Sequence, residues 1–476
     1  MNESFQQSFT THKINAAKPA VLQAMEASQK IVEPVLRKQS ISFTRRLILP
    51  GTFLLLFAAV FALFRLQPDF EALHIERTHS AAGITLIVTG IVLVALQLSF
   101  LIYMLSLYLR YKPVESVSDE LLPTCTVIVP AYNEGKLVWH TLMSLANSNY
   151  PHGKLQLIAI DDGSKDDTWH WIKLAKEQLG DRLTVYQQPQ NRGKRHALYH
   201  GFTIGTGEIF VTVDSDSVVK KDTLRHMASP FVINKKCGAV AGNVLVLNRD
   251  AVLPKMMQVS FAFTFEFIRS AQSVLGSVLC TPGALAAYRR DAVLKCLPEW
   301  VSQTFMGKPS DIGEDRAMTN MILKQGHHVL FQSNAHVYTN TPEKYKGLYK
   351  MLIRWERSNV RENIMMSQFT FGKFREGATT GSRIILLEQW LRLVLCFPTL
   401  LLLLFFVALH PAMFISSALV SILVYSSVQV FFYAKKHNLA DSFWAYPYSI
   451  LYTFSLFWIT PYSIATAGKS GWLTRG

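Results

Sequence analysis

Four short stretches decide the fold: TVIVP (126–130), LIAIDD (157–162), IFVTVDSD (209–216) and GAVAGNVLVL (238–247). Each is a strand-length run rich in β-branched residues, and charged stretches with helix-like spacing lie between them. Near-continuous apolar runs suit strands covered by helices on both faces. The region from about 124 to 340 therefore reads as alternating β/α with a mostly parallel sheet. Ligands of such sheets bind beyond the carboxyl ends of the strands. Two of those ends carry acids, Asp161-Asp162 and Asp214-Ser215-Asp216, so the site is expected there.

Outward from this unit the chain turns apolar. Windows near 47–64 and 82–109 precede it, and windows near 391–409, 412–433 and 444–466 follow. A helix needs about 20 apolar residues to cross the hydrocarbon core. Arg45 and Arg46 before the first window, and Arg110 and Lys112 after the second, put the N-terminus and the α/β unit on the cytoplasmic side. Lys435, Lys436 and His437 mark a cytoplasmic end, and Pro447 and Pro461 interrupt the last window, which reads as interfacial or re-entrant. The expected layout is a cytoplasmic segment 1–46, two transmembrane helices in 47–109 and a cytoplasmic catalytic domain 110–340. Amphipathic interface helices 341–390, a membrane region 391–466 and a cytoplasmic tail 467–476 follow.

The formal charge of +15 is dispersed and no aromatic-interleaved basic stripe accompanies it, which argues against a nucleic-acid partner. Basic residues beside apolar windows suit anionic lipid headgroups instead. The five cysteines lack CxxC or Cys/His ligand spacing, so neither a disulfide framework nor a zinc site is expected.

Three acidic clusters carry the chemistry. Asp161-Asp162 can accept from a uracil N–H or ribose hydroxyls. Asp214 and Asp216 present hard oxygens of the kind a Mg2+ or Mn2+ ion bridging a diphosphate requires. The cations of Asn191-Arg192-Gly193-Lys194-Arg195 suit nucleotide phosphates. Glu314-Asp315-Arg316 heads a helical pattern, where a carboxylate can simply cap the helix; if the chain transfers a sugar with inversion, one base must deprotonate the acceptor hydroxyl, and Asp315 is the candidate.

In order, the chain shows VIVPAYNE, AIDDGSKD, NRGKRHAL, VDSDS, AGNVLVLN, SVLCTPGALAAYRRDAV, GEDRAMTN and IRWERS. This ordered set resembles processive, membrane-integrated family 2 glycosyltransferases: hyaluronan synthases, chitin synthases and the chitin oligosaccharide synthases of nodulation. The resemblance implies a GT-A-type fold, a UDP-sugar donor, a growing glycan acceptor and a divalent cation in the cell membrane. It implies uridine contacts from Ala131, Tyr132, Glu134, Asp162 and Lys194, with Asp214 and Asp216 as the DxD pair and Asp216 as metal ligand. Cys280, Pro282 and Gly283 would lie on the acceptor side, with the order of Thr281-Pro282-Gly283-Ala284 departing from the usual Gly-Pro core. Glu314, Asp315 and Arg316 match the base motif, with Asp315 the base. Arg354 and Trp355 match the end of QxxRW, for diphosphate contact and acceptor stacking. Met351 stands where that motif carries Gln, removing an amide from the diphosphate contact. Trp472, Thr474 and Arg475 resemble a WGTR-type tail that covers the nucleotide, and Glu388, Gln389 and Arg392 are candidates for a polar channel lining. The implied activity is polymerisation of UDP-N-acetylglucosamine, alone or alternating with UDP-glucuronate, into an exported β-linked polysaccharide. Two alternatives are single-sugar transfer to a lipid carrier and an inactive polysaccharide-binding or assembly subunit.

Overall fold

In a computed structural model, which describes residues 43–469, one eight-stranded sheet organises the α/β unit. Its members are β1 (Cys125–Ala131), β2 (Leu155–Asp161), β3 (Leu183–Gln187), β4 (Ile209–Thr212), β5 (Ser217–Val219), β6 (Cys237–Val246) and β7 (Ala286–Arg289). After a small hairpin, β8 (Thr304–Phe305) and β9 (Lys308–Pro309), the sheet is completed by β10 (His328–Thr339). The order is β3-β2-β1-β4-β7-β6-β10-β5. The β1/β2, β2/β3, β1/β4 and β6/β10 pairs are parallel, while β7 and β5 run antiparallel to their neighbours.

Side-chain alternation along the strands builds two cores. Val127 and Val129 of β1 and Leu157 of β2 face helices Leu137–Ala146, Thr168–Leu179 and Thr223–Ile233. Ile128, Ile158 and Phe210 face helices Lys194–Ile204, Arg290–Val301 and Glu314–Lys324. All seven residues of β1 and all ten of β6 are buried, which is why these strands are apolar on both faces.

Among the described residues, four helices are long and apolar enough to cross a membrane: Leu47–Arg65, Ala81–Arg110, Thr380–Leu409 and Pro411–Lys436. The fourth begins directly after the third, at Pro411. After a short helix Leu439–Ser442, the last apolar window forms two short helices, Ala445–Ser455 and Ile459–Ala465. The boundary expected at 390/391 falls inside one continuous helix, Thr380–Leu409. Its polar beginning is stitched to the preceding helix end, where Arg383 donates to the carbonyls of Thr370 and Gly372.

Between the sheet and the spans lies a helical run, Val252–Val274, whose middle, Ala262–Ile268, widens into π-helical turns. It packs against Ala81–Arg110 and Pro411–Lys436. Buried Glu266 pairs with His437 (3.2 Å) and Lys436 (3.9 Å) at the end of the latter span. His437 also lies just past that helix, so the contact ties a span directly to the α/β unit.

Candidate active site

The carboxyl ends of β1 and β2 are cross-braced before any ligand is considered. Asp161 is fully buried and spent on structure: its carboxylate accepts from the Ser164 backbone N–H (3.1 Å), the Ser164 hydroxyl and the Gln187 side chain (2.8 Å). Asp162 accepts from the backbone N–H groups of Arg192 (2.9 Å) and Gly193 (2.8 Å). It therefore anchors the loop that launches helix Lys194–Ile204. Burial raises the Asp162 pKa, against the two N–H donors that favour its charge. Ala131 closes β1, and its carbonyl accepts from the Asp162 N–H at 2.8 Å. The following turn, Tyr132-Asn133-Glu134, is fixed by the Ser164 hydroxyl on the Asn133 N–H (3.0 Å) and the Thr168 hydroxyl on the Glu134 N–H (2.8 Å).

Lys194, in the first turn of its helix, joins two of the three acidic clusters. Its ammonium meets the Asp214 carboxylate at 2.5 Å and the Glu314 carboxylate at 3.0 Å. Burial opposes the ammonium's charge, yet Asp214 and Glu314 outweigh it and hold the pKa above the ordinary lysine value. Gly283 is what leaves room for this arrangement: a Cβ there would stand 2.6 Å from Lys194 Nζ.

Glu314 and Asp315 open helix Glu314–Lys324 behind Gly313, whose φ of +78° suits glycine. A Cβ at Gly313 would also strike the Ser358 hydroxyl at 2.0 Å. The two carboxyls diverge in charge state. For Glu314, burial is outweighed first by Lys194, with Arg354 adding to it, and the pKa is lowered. For Asp315, burial and then the neighbouring Glu314 charge raise it, against Lys194 and the N–H groups of Arg316 and Gly283. Asp315 Oδ2 accepts from the Gly283 N–H at 3.1 Å and lies 3.7 Å from Cys280 Sγ. The Cys280 thiol is pushed up to about 12, by burial first and then by Asp315. The stretch from Cys280 to Gly283 is held to the same helix: the Thr281 N–H donates to the Thr319 hydroxyl at 3.1 Å, and Pro282 is buried.

Helix Tyr345–Thr370 carries Arg354 and Trp355 along this side. Trp355 is 40% exposed, with its ring centre 6.0 Å from that of Phe261. Arg316 points away from the Lys194 cluster. Its guanidinium donates to Asn359, to Asn363 (2.6 Å) and to Gln389 (2.9 Å), clamping three helices together. Of the residues expected to line a channel, Gln389 thus pairs with Arg316, and Glu388 with Arg392 at 2.8 Å. Met351 is buried in the core with Leu348 and Ile353. Trp472, Thr474 and Arg475 lie outside the described residues.

Asp216 follows β4, and its carboxylate accepts from the hydroxyls of Ser217 and Thr339, both at 3.3 Å. Among the described residues no three His, Cys, Asp or Glu side chains form a metal-holding group. The donor chemistry fits a hard divalent cation that draws most of its oxygens from a nucleotide and water rather than from a protein cage.

Two arginines went unread in the sequence. Arg357 donates to the Thr466 hydroxyl (3.0 Å), and Arg361 to the carbonyls of Ala467 and Lys469 (both 2.6 Å). The signal was present as helical spacing, because positions 354, 357 and 361 follow one another around a single helix.

Residues 123–358 match the family model described as glycosyltransferase like family 2. The chain carries a family 2 glycosyltransferase domain. It is 34% identical over 253 residues to an N-acetylglucosaminyltransferase of Rhizobium meliloti (strain 1021), covering 53% of this chain and 59% of that protein. It is 29% identical over 284 residues to a hyaluronan synthase of Streptococcus pyogenes, covering 58% and 65%. The chain thus spans about three fifths of the length of such curated relatives. Among solved structures, a mannosyltransferase of Pyrobaculum calidifontis in complex with GDP-Man and Mn2+ superposes with a TM-score of 0.50 at 21% identity. That match covers 79% of this chain and 96% of the other, a likeness of fold. The family 2 domain is therefore a GT-A-like, mostly parallel sheet, accompanied among the described residues by four helices of membrane-spanning length and composition.

Proposed function

We propose that the chain is an inverting, processive glycosyltransferase. On this reading it polymerises UDP-N-acetylglucosamine, alone or alternating with UDP-glucuronate, into a β-linked polysaccharide and passes the product through the membrane. The observation that carries this reading is Lys194 bridging Asp214 and Glu314. One ammonium joins the acids of the DxD loop to the motif that holds the base, so donor and acceptor chemistry share one cleft.

Asp315 removes the proton from the acceptor hydroxyl. A carboxyl with a raised pKa is a stronger base than an ordinary aspartate, and burial beside Glu314 supplies that shift. The hydroxyl oxygen attacks C1 of the sugar while the C1–O bond to the diphosphate breaks on the opposite face, which converts an α-linked donor into a β-linkage. Lys194 and Arg354 stand on the leaving side and offset charge on the departing UDP. Asp216 would hold a divalent cation, which when bound offsets further charge on the diphosphate. Asp162, Tyr132 and Glu134 border the uridine end, and Trp355 offers a flat apolar face to the acceptor sugar. Arg357 and Arg361 hold residues 466–469 on the helix that bears Arg354.

Arg110 and Lys435-Lys436 end two of the spans and support a cytoplasmic α/β unit in the cell membrane. The test is full-length protein in detergent or vesicles, given UDP-sugars singly and in pairs with Mn2+. Wild type should yield long polymer and release UDP. Asp315→Asn should lower synthesis by about a thousandfold while leaving UDP binding intact. Products of one added sugar would favour a single-transfer enzyme, and retained synthesis by Asp315→Asn would refute the base.

A further inference from the structure

One charged group beside the base has no task in that mechanism. Arg269 begins the last turns of the Val252–Val274 run, and its guanidinium carbon lies 3.7 Å from the centre of the Phe265 ring. Its Nη1 is shielded from solvent and meets no hydrogen-bond acceptor among the described residues. Burial lowers its pKa, against the neighbouring Cys280, whose sulfur is its side-chain hydrogen-bond neighbour, and the charge of Asp315, so Nη1 is left as the donor still to be met. A shielded, unsatisfied guanidinium N–H is costly to keep in a folded protein, and calls for an acceptor that arrives with something else.

Its position says what arrives. Phe265 stands 5.4 Å from Phe261, and Phe261 stands 6.0 Å from Trp355. Trp355, Phe261, Phe265 and Arg269 therefore pack in one continuous row, in which both phenylalanines are buried, Trp355 is 40% exposed at one end, and Arg269 at the other faces Cys280, itself 3.7 Å from Asp315 Oδ2. In a regular α-helix, residues 261 and 269 would be rotated apart by roughly 80°. The wider turns of Ala262–Ile268 reduce that offset, which gives the π-helical segment a reason to exist. An exposed indole face at one end and an unsatisfied forked donor at the other suit a pyranose chain whose terminal ring carries a substituent oxygen.

We propose that Arg269 is an acceptor-binding residue that donates through Nη1 to the carboxylate or N-acetyl oxygen of the glycan's terminal sugar. This rests on the polymerase reading above. Asp315 then meets the terminal hydroxyl while Arg269 fixes the ring that bears it, so the guanidinium sets the sugar's orientation at the base.

The experiment compares wild type, Arg269→Gln and Arg269→Lys as full-length protein. Two acceptors are offered, β-linked N-acetylglucosamine oligosaccharides and oligosaccharides ending in glucuronate, and binding of UDP-N-acetylglucosamine is measured separately. Arg269→Gln should raise the oligosaccharide KM about tenfold or more with UDP-sugar binding unchanged. A rise confined to the uronate series assigns the carboxylate, and one confined to the neutral series assigns the N-acetyl carbonyl. If Arg269→Gln fails to bind UDP-sugar, Arg269→Lys decides: a raised KM supports the contact and a wild-type KM overturns it. An unchanged oligosaccharide KM with a displaced pH profile would make Arg269 a charge acting on Asp315, and overturns the proposal. Wild-type protein that extends neither acceptor overturns the polymerase reading and this inference together, whereas equal KM values in active wild type and variant overturn this inference alone.

Discussion

The two sides of the cleft are built by different means. On the proposed reading the donor side is made of strand ends and short turns, and its side chains are locked by backbone N–H groups, as Asp161 and Asp162 show. On the same reading the acceptor side is made of helix faces, Val252–Val274 and Tyr345–Thr370, fixed by long-range clamps such as Arg316 to Gln389 and Glu266 to His437. Those clamps reach the helices long and apolar enough to span a membrane. A nucleotide can therefore meet a pocket that folding alone has made rigid, whereas the surface that receives the glycan is mechanically joined to the spans. On the proposed reading, processivity belongs to the second side, where a polymer must slip by one unit without being released.

Trp355→Ala is the sharpest way to break that comparison. If the indole stacks on the acceptor, its loss should lower acceptor kcat/KM roughly ten- to hundredfold, the equivalent of losing about 1.5–3 kcal/mol of buried apolar contact. Product length should shorten, and UDP-sugar KM should stay near wild type. Trp355→Phe should recover most of the loss. An equal rise in donor and acceptor KM would show that the two sides are not separable.

A smaller effect should come from Glu314→Gln, read as a pH profile. Asp315 works as a base only when deprotonated, so kcat/KM falls as pH drops through its raised pKa. Glu314 is one cause of that rise, after burial, and replacing its charge with an amide should lower the Asp315 pKa. The acid limb should then move to lower pH. A limb that moves upward would mean that loss of the Lys194 bridge to Glu314 matters more than the lost repulsion.

How much of this was legible in the sequence follows the same division. Strands β1, β2, β4 and β6 were readable because burial on both faces makes them apolar throughout. Strand β7 has four residues and β5 three, and they join the sheet antiparallel through pairings that local pattern does not encode. The edge strand β3 is largely exposed and lacks the apolar signature. At the site, Lys194 draws Asp214 and Glu314 together, whereas Arg316 of the same motif turns to Asn359, Asn363 and Gln389. The sequence could not divide labour between Asp161 and Asp162, since neighbours on a strand end point opposite ways and only the fold says which way the cleft lies. The polar start of Thr380–Leu409 read as a separate interface helix because backbone helicity is indifferent to whether Arg383 and Glu388 sit in lipid or at its edge. Arg269 was unreadable because its significance depends on π-helical turns and on neighbours 11 and 46 residues away, Cys280 and Asp315.

Met351→Gln should have the least effect on turnover, and it tests how firmly the helix between the two sides is held. The family pattern places an amide here, which made loss of a diphosphate contact the natural expectation. In the fold Met351 is 7% exposed and packs into the main core with Leu348, Ile353, Leu456 and Ile459. A carboxamide introduced there brings two donors and an acceptor into apolar surroundings. Unsatisfied, they should destabilise the protein by about 1–3 kcal/mol, seen as a lower melting temperature, with kcat/KM for UDP-sugar unchanged. Should Met351→Gln instead tighten UDP-sugar binding without loss of stability, the helix must rotate that position toward the diphosphate. The acceptor side would then be free to turn about its own axis, and the contrast between a rigid donor pocket and a clamped acceptor face would need to be redrawn.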